Sequence, residues 1–310
     1  MFMLIFMPLF RTNWLLSRQA LAECRKIDRQ YVTEEELMRV NIWFAQIITD
    51  LGRSLQVRQV IVATAITYFK RFYTKNSFRN TEPNLVAATC MYLACKIEES
   101  PQHIKAVITD MKTIMQEKGE PFSYDNPKVA EMEFYLLEEL NFNMIVYHPY
   151  RSLMTLAQDL GTKNEDVHWA WYVINDSYRT DMCLLYPPHV IAAAALYLQI
   201  ALKGGAQYGD YSLTSMNTAN NSSVAGVTTR GAKRGAAAAA SNNNNNNNNI
   251  NTSVNETPKV KDIRLWFAQL NVDLEQIIDI VQEIISLYKL WSEEDKQNEK
   301  IRDILNKLLK

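Results

Sequence analysis

The sequence predicts an all-α protein with an internally duplicated helical unit, and three observations carry that prediction. Apolar residues recur at helical spacing through long segments broken by Pro, Gly and Asn, and few runs show the strict alternation of a half-buried strand. The segments PNLVAATCMYLACK, from Pro83, and PHVIAAAALYLQIA, from Pro188, align without gaps and share the Pro, two Ala, a Tyr and a Leu. A repeat this long, present twice, indicates a duplicated domain rather than a solenoid. With 310 residues, 47% hydrophobic and 22% charged, the chain can bury cores for two domains of ordinary size.

In chain order, the opening MFMLIFMPLF lacks a basic flank and a small-residue cleavage site, and it is too short to cross a bilayer. It is expected to pack or to stay poorly ordered rather than to act as a targeting signal, within an N-terminal segment and helix over residues 1–32. VTEEELMRVNIWFAQIITDLG opens with Thr33 as N-cap and Glu36 at capping-box spacing, and is expected to end at Gly52. Further helices are expected over about Val57 to Tyr73, Asn84 to Glu99, His103 to Lys118 and Pro127 to Leu140. In both repeated segments Pro stands near the start, where its missing N–H costs least, and small residues permit close helix approach. VYHPYRSL marks the passage from a first domain, 33–147, to a second, 148–310. From about Lys203 to Pro258 the second is interrupted by a low-complexity tract with a long Asn run, which cannot bury enough apolar surface to offset its ordering entropy. A disordered insertion is expected there, because helical pattern resumes at VKDIRLWFAQL.

Several function classes are excluded. Thirty-three Lys plus Arg against thirty-four Asp plus Glu leave no basic excess to hold a phosphate backbone, so no direct nucleic-acid partner is expected. Cys24, Cys90, Cys95 and Cys183 show neither zinc-site spacing nor a disulfide framework, which fits a reducing compartment. There is no Walker A loop, nucleophile motif or metal constellation, and no apolar run of bilayer length. The expectation is a non-enzyme that holds no metal or cofactor and enters no membrane.

Two charges stand out of place. In the first repeat, Val86, Cys90, Leu93 and Ile97 share one buried face, and Lys96 lies about 100° round from Ile97, where apolar surface gives way to charge. A Lys in a last helical turn is also favoured by the helix dipole and can lay its stem on apolar neighbours. In PKVAEMEFYLLEELNF, Glu133 falls inside the arc of Val129, Leu136 and Leu140, whereas Glu131 and Glu138 lie opposite. A carboxylate there needs a partner: either an internal cation, for which Lys96 qualifies, or a group on another protein.

Together with the duplication, these features resemble the cyclins. LACKIEE matches the LAxKxEE motif that ends the third helix of a cyclin box, and Glu133 stands where the fifth helix carries a Glu. The resemblance implies two tandem cyclin boxes of five helices each, preceded by a helix and with the Asn-rich insertion in the second box. It implies that Lys96 and Glu133, with Ile97, Leu137 and Phe142 at the apolar positions, bind the mobile regulatory helix of a cyclin-dependent kinase. Such a role is chemically intelligible, since Lys donates to carbonyls, a carboxylate accepts from N–H groups and apolar side chains supply area.

VIVATAITYFKRFY, EMEFYLLEELNFNMIVYHPYRSL, NDSYRTDMCLLYPP and WFAQLNVDLEQIIDIVQEIISLYKLW are similar to segments of the transcriptional cyclins that serve the Mediator kinase. The implied partners are that cyclin-dependent kinase, other subunits of the Mediator kinase module and, indirectly, the RNA polymerase II holoenzyme, in the nucleus. The implied role is activation of the kinase that phosphorylates the polymerase C-terminal domain and transcription factors, with positive or negative effects on transcription. A second partner surface, near the cleft between boxes, is implied for Glu98, Asn175, Asp176, Tyr178, Arg179, Asp181, Tyr186 and Tyr288. The plainer alternative makes Asp176 and Arg179 a solvated i,i+3 pair. LMRVNIWF departs from the substrate-docking pattern of cell-cycle cyclins, and the extreme N-terminus lacks the aromatic and Ser-Ser-His residues of the transcriptional branch. The competing readings are a cyclin of another transcriptional kinase and a DNA-bound factor of the transcription-factor-IIB kind, which would need a basic face.

Overall fold

The computed structural model describes residues 14–202, 263–292 and 297–309, and every regular element among them is helical. The expectations for the opening apolar stretch and for the Asn-rich tract lie outside the described residues.

A short helix α1 (Arg18–Cys24) is capped by Ser17, whose hydroxyl accepts from the Ala20 N–H. The first unit follows: α2 (Glu34–Ser54), α3 (Gln59–Phe72), α4 (Pro83–Ile97), α5 (Ile104–Glu117) and α6 (Asn126–Glu139). The Thr33–Glu36 capping box forms with both hydrogen bonds, at 3.2 and 2.8 Å. Gly52 does not end α2, which runs on to Ser54. A Cβ at Gly52 would meet the Val62 side chain at 2.4 Å, so this glycine serves the close approach of α2 to α3 rather than a helix stop.

The second unit comprises α7 (Pro149–Leu160), α8 (Asn164–Ser177), the single turn α9 (Met182–Leu185), α10 (Pro188–Leu202), α11 (Ile263–Gln269) and α12 (Leu274–Ser292), followed by α13 (Gln297–Leu309). The two repeated segments become the central helices of their units. α4 packs against α2, α3, α5 and α6, and α10 against α7, α8 and α12. Both are apolar almost all round, as a helix enclosed by neighbours must be. Complete burial of Val86, Met91 and Leu196 contributes roughly 1.5–3 kcal/mol for each side chain.

Helix packing is among the ties between the units. α9 packs on α3, and α13 returns to α2, where Lys307 meets Glu36 at 2.8 Å while Arg302 meets Glu120 at 2.7 Å.

Candidate functional site

The first candidate face is built from the ends of α4 and α6. α4 stops in a six-to-one turn: the Ser100 N–H donates to the Cys95 carbonyl and Glu99 takes φ 53°. That stop leaves Lys96 at the rim. α6 starts under an Asp125 cap and presents Val129 and Leu136 to the core, with Leu140 just beyond its end also fully buried. Glu133 shares that arc, and the structure brings it to Lys96: the ammonium donates to both carboxylate oxygens, at 2.7 and 2.9 Å. The Lys96 ammonium also lies 4.2 Å from the centre of the Tyr92 ring. Desolvation works against the cation, yet the bond to Glu133 and the Tyr92 contact hold Lys96 above its ordinary pKa. The Lys96 side chain remains 39% exposed and that of Glu133 13%. A pair this exposed is worth up to about 1 kcal/mol.

Ile97 and Leu137 are half-buried against the core, and Phe142 is 72% exposed. Asn141 and Phe142 both adopt left-handed backbone, φ 52° and 56°. The Phe142 N–H donates to Leu137, and Lys75 reaches across to bind the Glu139 carbonyl and the Asn141 side chain. Holding a bulky residue in that conformation costs about 1–2 kcal/mol, which the turn bears in order to point an aromatic ring into solvent. Phe134, Ile145 and Tyr147, also along α6 and the segment that leaves it, stand exposed as well.

The second group of residues collects where the two units meet. Asp181, just before α9, takes two bonds from Arg25, at 2.5 and 2.7 Å, and one from Lys70 at 3.3 Å. Lys70 is buried near the end of α3 and also donates to the Arg179 carbonyl. Burial opposes ionisation of Asp181, but the charges of Lys70 and Arg25 win and hold its carboxyl well below the usual range. Arg179 donates to Gln46 of α2 at 2.6 Å and covers the Trp291 ring at 4.3 Å. Asp176 accepts from the Tyr288 hydroxyl at 3.0 Å, Asn175 from Tyr150 at 2.9 Å, and the Tyr186 hydroxyl from Arg18 at 2.7 Å.

A hydroxyl relay completes the junction. Thr64 contacts both Glu98 and the His148 Nε2 at 2.8 Å, and the Tyr178 hydroxyl contacts His148 Nδ1 at 2.6 Å. Burial, reinforced by Arg71, pushes His148 down to about 4, so its ring is neutral at pH 7. Thr64 has one proton to give, and it goes to the carboxylate. The imidazole then carries its proton on Nε2 and accepts from Tyr178 at Nδ1. All eight residues of the second group therefore have partners inside the chain. Asp176 and Arg179 stand 3.8 Å apart with side chains only 22% and 10% exposed, so they are not a solvated surface pair.

Residues 10–145 match the family model described as Cyclin, N-terminal domain, which spans the whole first unit. The RNA polymerase II holoenzyme cyclin-like subunit of Emericella nidulans is 35% identical over 307 residues, covering 97% of this chain and 95% of the relative. The chain belongs to the cyclin family. Cyclin-C of Rattus norvegicus is 33% identical to it over 311 residues, covering 96% of this cyclin and 87% of the relative. The fold is shared with a chain of the CAK complex of Chaetomium thermophilum bound to ATP-gamma-S, at a TM-score of 0.59 and 19% identity, covering 96% of this chain and 88% of the other.

In this cyclin, the sequence pointed to Lys96, Glu133, Ile97, Leu137 and Phe142 but not to the exposed Phe134, Ile145 and Tyr147 beside them. Phe134 stands about 160° round α6 from Leu136, a large apolar residue on the polar side, and that was a readable signal of a docking face. Ile145 and Tyr147 follow in an irregular segment and carried no such pattern. Gln46, Arg25 and Lys70, which hold the second group, were invisible because each is brought in from a distant part of the chain.

Proposed function

We propose that this cyclin is the non-catalytic regulatory subunit of a cyclin-dependent kinase that acts in RNA polymerase II transcription, in the nucleus, as the Mediator-associated cyclins do. The first box, residues 33–147, is the kinase-binding domain, and Lys96, Ile97, Glu133, Leu137 and Phe142 make the contact. The observation that carries this reading is the combination of a rim ion pair with aromatic side chains held out in solvent at an energetic cost. A helix docked there exchanges the lone Lys96–Glu133 bond for bonds to its own end groups and covers Phe142. Docking in that position favours the inward setting of the kinase's regulatory helix, which completes the Lys–Glu pair that phosphoryl transfer requires.

The relatives' names support the transcriptional assignment, and family membership supports a regulatory rather than an enzymatic role. The test is reconstitution. The purified cyclin should co-elute with the Mediator kinase of its own organism and stimulate phosphorylation of a polymerase C-terminal-domain peptide. Recovery with a different kinase and without Mediator subunits would refute the assignment. The junction residues Glu98, Asn175, Asp176, Tyr178, Arg179, Asp181, Tyr186 and Tyr288 form the floor of a second partner surface, facing other subunits of the kinase assembly.

A further inference from the structure

The cleft between the two boxes holds a cation that the fold does not neutralise. Arg71, in the last turn of α3, is 7% exposed, and its guanidinium carbon lies 4.8 Å from the centre of the Trp14 ring. Its Nε and Nη1 are buried with no hydrogen-bond partner among the described residues. Its neighbours are provided for: Lys70 has Asp181, and Arg179 has Gln46. Burial pushes Arg71 down to about 10, so it is still protonated at pH 7, and the groups that offset the burial are the thiol of Cys183 and the hydroxyls of Tyr68 and Tyr178. All three are neutral at that pH, their own pKa values being raised by burial.

A buried charge without a counter-ion is costly to fold around. The surroundings favour an anion from outside. Arg71 lines a cleft of ≈ 580 Å³ together with Trp14, Tyr147, Tyr150, Tyr178 and Tyr186. Arg151 lines it too but is exposed, so Arg71 is the buried guanidinium there, and no Asp or Glu among the described residues lines it. The first turns of α7 and α10 border the same cleft. α7 has no side-chain cap, and neither helix has an acidic residue in its first turn, so both positive ends face the cleft without a counter-charge in that turn. Residues 1–13, which lead into Trp14, contain no Asp or Glu.

We propose that this cleft anchors an extended segment of a partner protein through one Asp or Glu side chain, its carboxylate paired with Arg71 between the two helix N-termini. Apolar residues flanking that acid lie on the aromatic walls. One buried cation matches the single charge of a carboxylate better than a phosphate dianion. The inference deepens the reading of the box junction as a second partner surface, and rests on it for the partner's being a protein.

The full chain is titrated by calorimetry with acetyl-Leu-Glu-Leu-amide, with its Gln counterpart and with its phosphoserine counterpart. The acid peptide is expected to bind about tenfold or more tightly than the amide, the usual scale of a charge-assisted bond. R71M should abolish that discrimination while raising the Tm of the free chain, because a side chain of related shape then replaces an uncompensated charge. Equal binding of acid and amide, no saturable binding of either, or a tenfold preference for the phosphopeptide overturns the proposal. So does a lower Tm or loss of folding in R71M, which would make Arg71 purely structural. The wild-type comparison needs no variant. No kinase is present, so failure of the kinase-binding reading leaves this result standing, and the reverse holds too.

Discussion

Two lysine–carboxylate pairs in this chain look alike in a list of contacts and do different work. At the box junction, Lys70 is 2% exposed and shares Asp181 with Arg25, so three charged groups from three separate parts of the chain satisfy one another out of water. At the rim of the first box, Lys96 and Glu133 pair with no third charged group among the described residues. The Lys96 side chain is 39% exposed and lies over Tyr92, with exposed aromatic side chains along α6 and the segment after it. Removing one partner from a buried network leaves an unpaired charge and costs about 3–5 kcal/mol, whereas an exposed pair is worth about 1 kcal/mol or less. Burial thus separates a charge kept for architecture from a charge kept available for a partner.

The largest effect expected from that contrast is at the junction. Asp181→Ala should destabilise the chain by about 3–5 kcal/mol, read by denaturant unfolding, because Lys70 loses its carboxylate in a buried site. A loss below about 1 kcal/mol would place the cluster with the surface pairs. The same group sets a pH dependence. Its folded pKa lies below its ordinary 3.8, so its contribution is fully present above about pH 4 and is lost as the pH falls further. The drop in Tm between pH 5 and pH 3 should be smaller in Asp181→Asn than in the wild type; equal drops would contradict the assignment.

The next effect in size belongs to the rim and shows in binding rather than stability. Neutralising Lys96 as Lys96→Met should weaken kinase binding by tenfold or more while changing unfolding free energy by about 1 kcal/mol or less, since one solvent-exposed pair is lost and no like charge is set against Glu133. Phe142→Gly should lower kinase affinity as well, while leaving stability unchanged or slightly raised, because Gly adopts the observed φ of 56° without strain. A marked fall in its Tm would mean that the ring is packed for stability. The smallest effect is at the junction's edge: Tyr288→Phe removes one bond to Asp176 and should cost about 0.5–1.5 kcal/mol.

How much of this was legible in the sequence depends on the range of the interaction. The helices, the duplication and the Thr33 capping box follow from local spacing, and the all-α fold with two boxes bears them out. Gly52 was misread as a helix stop because its reason for being glycine, the approach of Val62, comes from another helix. Glu133 was legible because a charge inside an apolar arc violates a local rule, and Lys96 because it stands where an apolar helix surface gives way to charge. The junction was not, since Arg25 and Asp181 are 156 positions apart and nothing near either one names the other. A polar run such as NDSYRTD shows that bonds will be made, but the partners that make them are a property of the folded chain.

The central claim is that Lys96 and Glu133 are held for a partner, and a charge swap tests it most directly. The double variant Lys96→Glu with Glu133→Lys retains an internal pair and reverses what a docked helix would meet. Kinase affinity and thermal unfolding of this variant are measured beside the wild type. The account predicts a Tm close to that of the wild type together with loss of kinase binding and activation. Wild-type kinase binding by the swapped chain would contradict it and leave the pair as an internal brace.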